Sequence, residues 1–159
     1  MDYILDIIIL KKEIGVVKLN EKLVTWGDSV YSRTPPQYIT DSGIVFEQIE
    51  DTEYYSKLLG EKLTKDTIVL NLKSHLLFEL EYAINNDKKT LEKNELLSFL
   101  SELLNLSEFY ILLVREDEKV KERYRITSKE EIRVRLTDSL KWSEPKDVLL
   151  FKKNTGGQI

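Results

Sequence analysis

The chain contains no cysteine. That absence excludes disulfides, thiolate nucleophiles, iron–sulfur clusters and cysteine-based zinc sites. A single histidine, His75, is present. A metal site would therefore rest on carboxylates, yet the aspartates are scattered and no Asp-x-Asp-x-Asp-Gly loop occurs. The six glycines are dispersed and fall into neither a GxGxxG nor a GxxxxGK[ST] phosphate loop. No apolar run is long enough to span a bilayer. Tyr3–Leu10 is the nearest, but Asp6 interrupts it and no basic segment precedes it, so it does not read as a signal either. These absences predict no cofactor, no metal, no membrane association and a cytoplasmic location.

What is present is a globular composition. Of 159 residues, 42% are hydrophobic and 33% charged, enough apolar content for one self-supporting core. We expect a single domain over residues 1–153 and a flexible polar tail over 154–159. The net charge of −4 argues against a dedicated nucleic-acid binder. It is unevenly spread: residues 1–60 carry −4, 61–110 carry −3 and 111–159 carry +3. Five of the six arginines (Arg115, Arg123, Arg125, Arg133, Arg135) fall in the last segment. They alternate with glutamates, as on a solvated face, rather than forming a basic block.

Periodicity supplies the elements. Tyr3–Leu10 suits either a strand or a helix, and a helix is expected over about 14–25 despite Gly15. Trp26-Gly27-Asp28-Ser29 reads as a turn. Strands are expected over 30–33 and 44–50, on either side of a loop stiffened by Pro35 and Pro36. Asp51 or Thr52 can cap a helix carrying Tyr55, Leu58, Leu59 and Leu63. Thr67–Leu72 is a β-branched strand. Ser74–Asn85 is a helix with Leu76, Leu80, Ala83 and Ile84 inward and Ser74 as its cap. Leu96, Leu97, Leu100, Leu103 and Leu104 stripe one side of a helix over 91–106. Residues 109–114 form a solid apolar run, as in a central strand. A hairpin-like turn at 116–119 then returns into a strand over 123–126. Ser128-x-x-Glu131 has the form of a capping box before Ile132, Leu136 and Leu140. Those residues with Val134 also alternate as a strand would; the capping signal favours helix over 132–136, with strand as the alternative. A last strand covers 147–153. The mixed order predicts an α+β fold, a mainly antiparallel mixed sheet with helices packed on one face.

No catalytic constellation stands out. His75 has Glu79 four residues on, but no nucleophile elbow accompanies it. Glu79 with Glu81, and Glu47 with Glu50, are carboxylate pairs of a kind that glycoside hydrolysis uses. Such pairs are expected by chance among 28 acidic residues. The suggestive stretch is acidic and tyrosine-bearing: Asp28, Tyr31, Glu47, Glu50, Asp51, Glu53 and Tyr54. Tyrosine buries apolar area while keeping a polar tip, and a single-sign surface steers an oppositely charged partner. We expect these residues to contact a basic protein partner.

The last third carries a resemblance. Phe109-Tyr110-Ile111-Leu112-Leu113-Val114, an acidic turn, Tyr124-Arg125-Ile126, the capped Ser128 segment, Ser139-Leu140-Lys141-Trp142 and Pro145 through Lys152 together resemble the C-terminal part of small bacterial immunity proteins. These are the cytosolic inhibitors paired with polymorphic or contact-dependent toxins. The resemblance covers about a third of the chain and carries over no partner-binding residue. It implies stoichiometric binding of a toxin-like protein without chemistry. Two rival readings remain: an enzyme with a site of unremarkable Asp, Glu, Tyr and Arg residues, and a module that takes an acidic ligand or RNA on the arginine-rich 115–135 region.

Overall fold

The computed structural model describes residues 3–22, 36–115 and 120–153. Its centre is the segment left open above. Tyr3–Leu10 is a strand (β1), flanked on both sides by antiparallel neighbours: β5 (Thr67–Leu72) and β6 (Phe109–Arg115). Three consecutive isoleucines, stiff at χ1 and well suited to a pleated surface, settle the choice against helix. The strand is buried on both faces, which explains why its apolar run barely alternates.

Around this core the described residues form one eight-stranded sheet, ordered β2-β3-β4-β5-β1-β6-β8-β7. The outer strands are β2 (Asn20–Lys22), β3 (Gln37–Ile39), β4 (Val45–Ile49), β7 (Glu122–Arg125) and β8 (Val148–Lys152). Every pairing is antiparallel except that of β7 with β8. The return after 116–119, which itself lies outside the described residues, is therefore no simple hairpin. The last strand, β8, inserts between β6 and β7. Sequence order gives no sign of this, because β8 is contributed by a segment 23 residues beyond β7.

Three long helices share one face: α2 (Ser74–Asn85), α3 (Leu91–Glu102, with a 3₁₀ turn over Leu103–Asn105) and α4 (Lys129–Ser139). The odd-numbered residues of β1 point at them, so Leu5, Ile7 and Ile9 join Leu80, Leu100, Leu103 and Leu136 in the main core. The α4 segment is a helix because its capping box forms. The Glu131 amide donates to Ser128 Oγ at 3.2 Å, and the Glu131 carboxylate accepts from Thr127 Oγ1 at 2.7 Å. Ser74, by contrast, makes no capping bond, and the α2 N-cap is Lys73. The opposite face is covered by a short helix, α1 (Glu53–Leu59), whose Tyr55 and Leu59 pack on Ile8, Val69, Leu112 and Leu149.

One expected element is corrected. The helix placed over 14–25 is a 3₁₀ segment, Lys11–Val17, followed by a left-handed Lys18 (φ 56) and strand β2. Gly15 and two adjacent valines disfavour a continuous α-helix, and the chain reverses at Lys18 to join the sheet edge. The turn at 26–29 and the strand over 30–33 lie outside the described residues.

Candidate partner surface

The β4–α1 corner gathers most of the acidic segment. Strand β4 delivers Glu47 onto the same sheet face as α1, and the chain then turns through Glu50, Asp51 and Thr52. Asp51 Oδ1 accepts the Glu53 amide at 3.2 Å, while Thr52 makes no capping bond. The aspartate thus satisfies an orphan donor of the first turn and places negative charge where the helix dipole favours it. Successive residues on a helix diverge by about 100°, so the tyrosine pair splits. Tyr55 turns into the core and Tyr54 stays 47% exposed, with their rings edge to face at 5.2 Å. Glu50, Asp51 and Glu53 are exposed, and among the described residues none of the three has a lysine or arginine within ion-pair distance. Glu47 differs: it is half-buried and paired with Lys73 at 3.1 Å. Asp28 and Tyr31 lie outside the described residues.

Two anchors hold this corner in place. Beneath α1, Asp6 of β1 is 1% exposed. Its Oδ1 accepts from Asn71 Nδ2 at 2.6 Å, and the Tyr55 phenol faces the same carboxylate. Burial pushes the Asp6 carboxyl up to about 6, against the lowering pull of Asn71 and of the nearby Tyr55 phenol. The Tyr55 phenol is driven far above its ordinary range by burial and by the facing carboxylate. In register, Glu47 stands opposite Asn71 and Asn71 opposite Asp6. A polar row therefore crosses three strands inside an otherwise apolar layer. At the other end α1 stops at left-handed Gly60 (φ 72). Arg123 of β7 donates to the freed carbonyls of Leu58 and Leu59 at 3.0 and 3.2 Å, a cation at the negative end of the helix.

Sequence periodicity does not reveal this polar row. Its signal was present: one carboxylate inside a run of isoleucines, and one asparagine inside the next apolar strand. Register alone brings them together.

The arginines are dispersed. Arg115 clamps the buried Asp147 carboxylate through its backbone amide at 2.8 Å, Nε at 3.3 Å and Nη2 at 3.0 Å. Arg123 serves α1 on one sheet face, and Arg135 lies over the Tyr124 ring at 3.7 Å on the other. Arg115, Arg123 and Arg135 thus each serve a different partner within the fold. The carboxylate pair of α2 also diverges: Glu81 is buried and accepts from Trp142 Nε1, while Glu79 and His75 stand in water. No group of three potential metal ligands occurs among the described residues. No helix among them is long and apolar enough to cross a membrane.

A second exposed surface lies on α2. Phe78 is 63% exposed and Tyr82 42%, four residues apart on the outer side of α2. Trp142, 47% exposed, is tied to the same helix through Glu81 and through its own amide to Asn85 Oδ1 at 2.8 Å. The signal was two aromatics lying outside the inward stripe of Leu76, Leu80, Ala83 and Ile84.

No family model, curated protein or solved structure matches the chain.

Proposed function

We propose that this chain is a non-enzymatic protein-binding domain of the immunity or inhibitor kind, which takes a basic protein partner on the β4–α1 corner. The observation that carries the reading is the set of three exposed carboxylates, Glu50, Asp51 and Glu53, without an ion-pair partner among the described residues and next in sequence to the exposed Tyr54. Leaving like charges side by side costs self-repulsion that a basic partner relieves, and the resulting field accelerates encounter. The exposed Tyr54 ring supplies contact area to desolvate. The corner is also pre-organised, because the packing of Tyr55 and Leu59 on the sheet and the Arg123 bonds fix α1 before any partner arrives. Less ordering entropy is then lost on binding. The resemblance of the last third to immunity proteins supplies the partner class, a toxin-like protein with a basic surface.

The test is affinity capture on immobilised wild-type chain and on the Glu50→Lys/Asp51→Lys/Glu53→Lys variant. A basic protein held by the wild type, released by salt and absent from the variant supports the reading. Equal retention by both surfaces contradicts it.

A further inference from the structure

The exposed aromatic side of α2 has a charge pattern unlike that of the β4–α1 corner. Phe78 is the most exposed large hydrophobic side chain among the described residues, at 63%. Beside it opens a hollow of about 310 Å³ lined by Phe78, Glu79, Tyr82, Lys88 and Thr90. Lys88 Nζ sits 5.1 Å from the centre of the Tyr82 ring. Glu79 and Lys88 thus bring one charge of each sign to a single aromatic hollow, and no ion pair joins them to each other or to another described residue.

We propose that this face binds a second copy of the chain about a twofold axis, α2 against antiparallel α2. A twofold interface places the same patch on both partners, so it must complement itself. The acidic corner cannot do so, because two copies would repel. The α2 face can: with the helices antiparallel, Glu79 of each copy meets Lys88 of the other, and each Phe78 enters the hollow beside its counterpart. Two equivalent ion pairs then flank a desolvated aromatic centre, the arrangement in which interface aromatics contribute most. Association removes the exposed Phe78 and Tyr82 rings from water. This assignment stands independently of what the β4–α1 corner binds, since the two surfaces lie on opposite faces of the sheet.

Sedimentation velocity over a concentration series decides it. The wild type should pass from one to two chains per particle as concentration rises. Phe78→Ser/Tyr82→Ser should stay a single chain with an unchanged far-UV spectrum, since both side chains already face water. Glu79→Lys and Lys88→Glu should each weaken association by about tenfold, because each creates two like-charged pairs. Combining them should restore it. A wild type that remains a single chain throughout overturns the proposal. So does a double reversal that associates no better than the single ones.

Discussion

Replacing Asp6 by asparagine should stabilise the protein at neutral pH and leave it nearly unchanged in acid. Asp6 is 1% exposed, so solvent screening does little to soften the effect. Its carboxyl moves from an ordinary 3.8 to about 6 on folding, which corresponds to about 3 kcal/mol. The native state holds this proton more tightly than the unfolded chain does. The associated stability is fully present below about pH 4, drains as pH rises through about 6 and is absent at about pH 7.5. Asparagine keeps an oxygen to accept the 2.6 Å bond from Asn71 but never ionises. Urea denaturation of both proteins from about pH 4 to about pH 7.5 isolates the effect, since other carboxylates cancel in the difference. The stability difference should shift in favour of Asp6→Asn by about 2–3 kcal/mol across that range. A difference that stays flat with pH would refute the reasoning and would mean that water or a cation reaches Asp6.

Other substitutions test the rest of the architecture by equilibrium urea unfolding. Leu103→Ala, at a fully buried position under the sheet, should cost about 2–5 kcal/mol. A loss within error would mean that the α3 stripe does not pack as described. Arg115→Met strands the Asp147 carboxylate and should cost about 3 kcal/mol, the low end for a broken buried pair because the arginine keeps one side in water. Adding Asp147→Asn to it should recover part of the loss. Ser128→Ala removes the α4 cap and should cost about 1 kcal/mol; an unchanged midpoint would show that the cap contributes nothing.

Local physics made most elements legible and left the long-range ones hidden. Thr67–Leu72 and Ser74–Asn85 lie where their patterns place them, because β-branched runs and a helical leucine stripe are properties of the segment itself. The Ser128–Glu131 box decided between helix and strand for the same reason. Tyr3–Leu10 stayed ambiguous because a strand buried on both faces loses its alternation, leaving a short apolar run with no period to read. The failed helix over 14–25 shows the converse: a few apolar residues at roughly helical spacing do not outweigh glycine, valines and a nearby sheet edge. The insertion of β8 between β6 and β7 depends on which edges remain open after the rest has folded. Of the candidate surface, the acidic residues were visible as composition. Their anchoring was not, because Asp6, Asn71 and Tyr55 meet only through register and a helix laid across it. Nor could composition show that Glu47, alone of the four described carboxylates, is engaged by Lys73.

Titrating the captured basic partner into the wild type and into Glu50→Lys/Asp51→Lys/Glu53→Lys by calorimetry, at low and at raised salt, tests the central claim most directly. A Glu47→Gln protein, altered at the residue already paired within the chain, serves as the control. Affinity should fall steeply with salt for the wild type and for Glu47→Gln, and the triple reversal should weaken binding by at least about a hundredfold while remaining folded. Equal affinity for the triple reversal, or a wild-type affinity indifferent to salt, would contradict binding of a basic partner at the β4–α1 corner.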